Sequence, residues 1–354
     1  MSTISRKLYG FDYLRVICSL IVVLLHVQYE FSNHFHFTPI EEVLINSFIY
    51  NFGFLAVPVF LQISLFLFYL NLNIKEKYFK KRIIDITKIY VLWFLIYPIF
   101  IKLVIEHGEL PSLNFLSINT FIASGGHTLI YFLSDLILLT AISGLLMKIG
   151  LLKNKYLVVS FLLISSLIVF LLPFIRIFPL ALLNIDMTQH WNPLNFIPYI
   201  FSSYLLYMQL DNETNSLNKM SVATWCVILL ILCCTVVIEW RYLQGYDFWE
   251  DRLLLPIYSR LSLIISAYIV SYLAINYLSY PPPVFIQLIS NCSLGIYCIH
   301  YILIDIAVWV YPQNLEFSPL PDSIIFLMIF ALIAIITISL TNFTKKIKFL
   351  EKYL

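Results

Sequence analysis

Two histidines and one arginine interrupt stretches of the sequence that are otherwise apolar. His26 follows Arg15 by eleven positions, and at about 100° per residue both side chains point from one face of a helix, about 16 Å apart along its axis. An imidazole can accept or donate a proton, and a guanidinium can bind phosphate oxygens. His300 stands in a second apolar stretch. Packing in a bundle and snorkelling of Arg15 to the membrane surface are the alternatives, and the shared face favours a functional interpretation.

Other polar residues in the apolar stretches are candidates for supporting roles. Asp12 precedes Arg15 by three positions, which allows an ion pair on one side of the helix. Gly295, shortly before His300, permits the close approach of a second helix. The remaining supporting candidates are Ser64, His127, Asp135 and Tyr297. A kinked packing helix around Pro58 is the alternative for the stretch that contains Ser64.

The composition excludes a soluble globular protein. Of the 354 residues, 61% are hydrophobic and 12% are charged, and the mean hydropathy is +0.89. The apolar stretches do not alternate polar and apolar residues at every second position, as the strands of a membrane barrel would. We therefore predict an all-α integral membrane protein.

Ten apolar stretches are candidate membrane spans, so we predict a bundle of about ten transmembrane helices. Their predicted bounds are 11–31, 47–70, 84–105, 128–148, 156–175, 194–209, 221–239, 254–278, 285–310 and 323–343. We expect residues 1–354 to form a single transmembrane domain without an appended soluble domain.

The basic residues are unevenly distributed between the loops. If the N-terminus is cytoplasmic, sixteen of the 22 Lys and Arg residues fall on the cytoplasmic side, five on the opposite side and Arg15 within the first span. This bias predicts cytoplasmic N- and C-termini. His26 and His300 then both lie about 22 Å from the cytoplasmic ends of their helices, at a shared depth in the outer half of the bilayer.

The sequence resembles the membrane-bound acyltransferase family 3 at four motifs. These are Asp12-Tyr13-Leu14-Arg15 with its spacing to His26, VPVFLQIS at 57–64, HTLIYFL at 127–133 and SLGIYCIH at 293–300. Their order and spacing are similar to those of the family along most of the chain. Two positions depart from the family pattern. Leu65 follows Ser64 where members usually have glycine. Where members have a paired basic motif before the third helix, this chain has Arg82 followed by Asp85, with Lys88 beyond.

The resemblance implies an enzyme that moves an acyl group across a bacterial cytoplasmic membrane. The donor would be cytoplasmic acyl-CoA, most often acetyl-CoA, bound as a substrate, and no permanently bound cofactor and no metal are expected. The acceptor would be a hydroxyl group of an extracytoplasmic glycan or lipid-linked saccharide, such as a surface polysaccharide or O-antigen. Membrane lipid is a further expected partner and nucleic acid is not, while the oligomeric state stays open.

The resemblance also implies roles for the candidate residues. The phosphate groups of the donor would be bound by Arg15, Lys81, Arg82 and Lys88. The pantetheine arm would run along the first helix to His26, whose neutral imidazole would take the proton of the attacking hydroxyl. His300 would be the second catalytic residue, orienting the reacting groups or polarising the thioester carbonyl, with Asp135 or Asp305 holding a tautomer. An acyl-histidine intermediate is an open variant.

Two other classes of function also fit a helical bundle with buried polar residues. One is a transporter or flippase for a lipid-linked saccharide. The other is an accessory subunit of polysaccharide export. No inverted repeat is visible in the sequence, which argues against the transporter.

Overall fold

The computed structural model describes residues 8–32, 34–35, 37–72, 77–100, 130–171, 191–212, 221–239, 257–311 and 321–347. These residues form helices and connecting segments, and no strand occurs among them. The α-helices are α1 (Tyr9–Phe31), α2 (Pro39–Phe48), α3 (Ala56–Leu72), α4 (Tyr78–Phe100), α5 (Tyr131–Lys148), α6 (Lys155–Leu171), α7 (Pro198–Asn212), α8 (Val222–Ile238), α9 (Leu261–Tyr277), α10 (Val284–Val310) and α11 (Asp322–Lys345). A π-helical turn, Ile49–Gly53, follows α2.

The helices confirm the predicted fold class. Each of the ten predicted spans overlaps a helix, and the span predicted at 47–70 covers the end of α2, a π-helical turn and α3. Six helical segments in the described part of the chain are long and apolar enough to cross a membrane, namely α1, Pro39–Leu72, α4, α5, α10 and α11. Shorter apolar helices are α6, Trp225–Ile238 within α8, and α9. The chain is therefore a multi-pass, helical membrane protein, and the number of spans and the side of each terminus stay predictions.

Several helices begin earlier than their apolar stretches. α4 begins at Tyr78, six residues before the predicted start, because Lys and Arg are good helix formers and the apolar pattern marks only the part suited to lipid. α2 begins at Pro39 behind a capping box, in which Thr38 and Glu41 each bond the other's backbone N–H. Hydropathy alone therefore misses the polar first turns of these helices.

The chain divides into two compact units. The first unit comprises Met1–Val57, Thr87–Ser124 and Leu273–Leu354, and the second comprises Pro58–Ile86 and Gly125–Tyr272. The helices α4 and α9 each contribute residues to both units. The expectation of a single domain stays a prediction.

In the first unit, α1 packs along α10, and α11 packs against both. Asp12 contacts Ser290 near the starts of α1 and α10, and His26 contacts His300 farther along, so these two helices run parallel. The buried core of this unit includes Val23, Val27, Phe31, Cys292, Ile296, Ile304 and Ile333. The fold thus aligns α1 and α10, the two helices that carry the histidines, side by side.

Gly295 lies at a close approach between α10 and α11. A Cβ atom at this position would lie 2.2 Å from Thr341 Cγ2, far inside van der Waals contact. The Thr341 hydroxyl donates back to the Thr337 carbonyl at 2.8 Å, which fixes the side chain against α10. The predicted close helix approach at Gly295 is therefore confirmed.

The second unit is held together by hydrogen bonds between helices. The Tyr69 hydroxyl of α3 is 2.9 Å from Ser143 Oγ of α5 and 3.1 Å from the Ile200 carbonyl oxygen of α7. Ser202 Oγ of α7 donates to Gln62 Oε1 of α3 at 3.2 Å. Such bonds give buried polar groups of a membrane bundle the partners that lipid cannot supply.

Candidate functional site

The two predicted catalytic histidines lie next to each other in the first unit. The ring centroids of His26 on α1 and His300 on α10 are 5.3 Å apart, with 37° between the ring planes. His300 is fully buried, whereas His26 is half-buried. The shared depth predicted from the sequence is thus accompanied by direct contact between the two imidazoles.

The backbone of α10 defines the proton position on His300. Its Nδ1 lies 2.9 Å from the Ile296 carbonyl oxygen. A carbonyl oxygen can only accept, so Nδ1 carries the hydrogen, and in the neutral ring Nε2 holds the lone pair. Nε2 is buried and has no hydrogen-bond partner among the described residues. His300 therefore presents a proton acceptor within the protein interior.

Tyr301 and Glu30 extend the histidine pair. The Tyr301 ring stands edge-on to the His26 ring, with centroids 5.7 Å apart, and the Tyr301 hydroxyl donates to Glu30 Oε1 at 2.6 Å. The sequence analysis missed both residues. Glu30 follows His26 by four positions and so lies on the same helix face, and this spacing was the signal that could have found it.

Three more residues lie near the two histidines, Tyr301 and Glu30. Tyr97 of α4 is buried and donates to the Cys298 carbonyl oxygen at 2.9 Å, which ties α4 to α10 beside His300. The Tyr297 ring centroid lies 6.2 Å from that of His300. The Asp305 carboxyl group is near enough to Glu30 for the two to interact electrostatically. The histidines are thus bordered by Tyr297 and Tyr301, and the carboxyl groups of Glu30 and Asp305 lie near Tyr301.

Arg15 lies near the beginning of α1, in the predicted ion pair. Its Nη1 is 3.7 Å from Asp12 Oδ1, and about a quarter to a third of each side chain is exposed, 29% and 27% respectively. Ser290 Oγ of α10 donates to the same Asp12 oxygen at 2.8 Å. The expected pairing of Asp12 with Arg15 is confirmed, and Ser290, which the sequence analysis missed, links the pair to α10.

The profile of the acyltransferase family 3 domain, described as "Acyltransferase domain", matches residues 8–341. The chain belongs to the acyltransferase 3 family. No curated protein and no solved structure was found to match the chain. The resemblance drawn from the four motifs is thereby confirmed, and the chain is a membrane acyltransferase.

Several other predicted site residues of this acyltransferase lie in the second unit. Lys81 is exposed and Arg82 half-buried near the start of α4, Ser64 is half-buried in α3, and Asp135 is buried in α5. Asp135 Oδ2 has no hydrogen-bond partner among the described residues.

Two further predicted site residues of the acyltransferase are Lys88 and His127. Lys88, farther along α4, is exposed and belongs to the first unit. His127 lies outside the described residues. The roles of all the predicted site residues stay predictions.

The histidine pair of the acyltransferase is suited to proton transfer. Within the described residues, no group of three or more His, Cys, Asp or Glu side chains could hold a metal ion. Two adjacent imidazoles, one with a defined acceptor nitrogen, can take a proton from a hydroxyl group and return it to a leaving group.

Proposed function

We propose that the protein is an O-acyltransferase that moves an acetyl group from cytoplasmic acetyl-CoA to a hydroxyl group of an extracytoplasmic glycan, such as a surface polysaccharide or O-antigen, in a bacterial inner membrane. The observation that carries the proposal is the contact between His26 and His300, at 5.3 Å between ring centroids, in a chain of an acyltransferase family. An acyl transfer to a hydroxyl needs a base at the point of reaction, and this pair supplies one.

In the proposed reaction, the hydroxyl oxygen of the acceptor attacks the thioester carbonyl carbon while its proton passes to His26. The tetrahedral intermediate then collapses, the carbon–sulfur bond breaks, and the coenzyme A thiolate takes up the proton from the His26 imidazolium. The acceptor gains an ester, and the imidazole returns to its neutral form. His300, with Nε2 as an acceptor, orients the reacting groups beside His26.

The donor side of the proposal rests on Arg15. A guanidinium suits phosphate because its N–H groups match the phosphate oxygens in pairs. Arg15 lies eleven positions before His26 on α1, about 16 Å along the axis, so a donor held at Arg15 by its phosphates would extend towards the histidines. Lys81, Arg82 and Lys88 are proposed to add basic charge on the cytoplasmic side.

The acceptor side of the proposal rests on Glu30, Tyr301 and Asp305. Carboxylate oxygens and a phenolic hydroxyl are groups that hydrogen-bond to the several hydroxyls of a sugar. Tyr301 contacts His26, its hydroxyl group donates to Glu30, and Asp305 is near Glu30, all farther along α1 and α10 than Arg15. A hydroxyl-rich acceptor is therefore favoured over an apolar one.

The decisive experiment uses the purified full-length protein in detergent with acetyl-labelled acetyl-CoA and surface polysaccharide extracted from cells that lack the protein. Transfer of label to the polysaccharide is expected from the wild type and is expected to be abolished in His26→Ala. A matched control is His34→Ala, because His34 contacts the rings of Phe31 and Tyr311 and is not part of the catalytic pair.

The same assay separates the enzyme from its rivals. A flippase or an export subunit would not transfer label in detergent, where no compartments exist. Normal transfer by a stable His26→Ala protein would refute the catalytic role of His26. Chemical analysis of the surface polysaccharide from cells with and without the protein then identifies the acyl group and the acceptor position.

A further inference from the structure

Lys345, at the end of α11, is held against the beginning of α10. Its ammonium group donates a hydrogen bond to the Asn291 carbonyl oxygen. The contact depends on the close approach of the two helices at Gly295 and Thr341, which lie about one turn away on α10 and α11 respectively. Lys345 is half-buried there, and the backbone carbonyl group of Asn291 positions its ammonium group.

The same turn of α10 carries the link to Arg15. Ser290, which precedes Asn291, is buried and donates to Asp12 Oδ1 at 2.8 Å, and Arg15 Nη1 lies 3.7 Å from that oxygen. Residues 290 and 291 therefore connect two cations, one from α1 and one from α11. The helices α1, α10 and α11 of the first unit thus meet at this end.

The charge of this cluster suits an anion with several oxygens. Arg15 pairs with Asp12, whereas Lys345 donates to an uncharged carbonyl group, and the Arg15 side chain is 29% exposed. An ammonium group has three N–H donors, and the bond to the Asn291 carbonyl uses one of them. The other two can bind phosphate oxygens without giving up the contact that positions Lys345.

We infer that Lys345 is a second cation of the donor site, which binds the phosphate groups of acyl-CoA together with Arg15. The inference rests on the proposed donor. It adds a residue from α11 to a site that the sequence motifs located on α1. Ser290 acts as a positioning residue in this site, because it fixes Asp12 and through it Arg15.

The test measures the dissociation constant of coenzyme A for the purified full-length protein in detergent, at low and at high salt. Lys345→Ala is expected to weaken binding about tenfold, the loss of one charge-assisted hydrogen bond. Lys345→Gln is expected to weaken it by a similar factor, because the amide can still donate to the Asn291 carbonyl but carries no charge. Lys345→Arg is expected to retain most of the affinity. A higher salt concentration should weaken coenzyme A binding more in the wild type than in either neutral variant.

Lys346 provides the matched control. It is exposed, has the same charge, and follows Lys345 directly in the chain, so Lys346→Ala removes a cation without removing the contact on α10. Its effect on coenzyme A binding is expected to stay within about twofold. Thermal stability of each variant without ligand shows whether a change in affinity reflects loss of folding.

The outcomes separate the two proposals. If the wild type does not bind coenzyme A, the proposed donor is wrong and the role of Lys345 fails with it. If the wild type binds coenzyme A but Lys345→Gln binds it equally well, the inference is overturned while the proposed function stands. The same holds if Lys346→Ala binds coenzyme A as weakly as Lys345→Ala.

Discussion

The hydroxyl group of Tyr301 donates a 2.6 Å hydrogen bond to Glu30 Oε1, which joins α10 to α1 about one helical turn beyond His26. Tyr301→Phe keeps the ring against His26 but removes this bond. We expect transfer activity to fall about tenfold with the donor KM unchanged, because the bond positions groups around the histidines and not the phosphates. Initial rates at varied acetyl-CoA concentration measure both quantities.

Glu30→Gln separates the charge of Glu30 from its hydrogen bond. The amide oxygen can still accept from Tyr301, so the transfer rate should fall only slightly if the hydrogen bond alone matters. It should fall strongly if the carboxylate also binds the acceptor. Wild-type rates in both Tyr301→Phe and Glu30→Gln would show that this contact has no part in transfer.

His300→Asn tests the acceptor nitrogen of His300. The asparagine amide N–H can take the place of Nδ1 and donate to the Ile296 carbonyl, while nothing replaces Nε2. We expect kcat to fall about a hundredfold or more with the thermal stability nearly unchanged. His300→Gln, which lengthens the side chain, is the comparison variant. Retained activity in His300→Asn would exclude a role for Nε2.

Gly295→Ala tests the packing of α10 against α11. The added methyl group would lie 2.2 Å from Thr341 Cγ2, so one helix must shift or the Thr341 side chain must rotate. We expect a loss of about 1–3 kcal/mol in stability, measured by thermal unfolding in detergent. Thr341→Ser removes the obstructing methyl group, and the double variant should recover part of the loss. No destabilisation in Gly295→Ala would contradict the close contact.

The second unit contains a buried ion pair that offers an independent test of stability. Arg260 Nε donates to Glu239 Oε2 at 3.0 Å, and the two side chains are 1% and 2% exposed. The Ser262 backbone N–H and hydroxyl group also bond to Glu239. Removing one partner leaves the other charge buried without this ion pair. Arg260→Ala or Glu239→Ala should therefore lower the free energy of unfolding by about 3–5 kcal/mol.

The matched comparison for this ion pair replaces both partners by apolar residues. Arg260→Met combined with Glu239→Leu should cost much less than the sum of the single alanine changes, as thermal unfolding would measure. Additive losses would show that the two charges do not depend on each other.

Relationships within one helix could be predicted from the sequence. Helix geometry alone determines that Asp12 and Arg15 can pair and that Arg15 and His26 share a face, and the structure contains the expected pair. Gly295 likewise indicated a close approach, although the partner, Thr341, was not identified.

Relationships between helices could not be predicted in the same way. The distance of His26 and His300 from their helix ends indicated a common depth, but not that α1 and α10 are neighbours. The contacts of Ser290 and Lys345 depend on the same unknown arrangement. A single sequence contains no direct record of which helices pack together, because apolar faces of similar composition can pack in many ways in lipid.

The parallel arrangement of α1 and α10 has a mechanical consequence. One hydrogen bond joins Ser290 to Asp12 and another joins Tyr301 to Glu30, so the register of the two helices is pinned on both sides of the imidazole pair. A shift of the register by one residue would move one imidazole past the other by about 1.5 Å. This is enough to disrupt the alignment of the reacting groups while both helices stay intact. Sliding between α1 and α10, driven by membrane thickness or by an occupied site, would thus change the rate of transfer before it changed the fold.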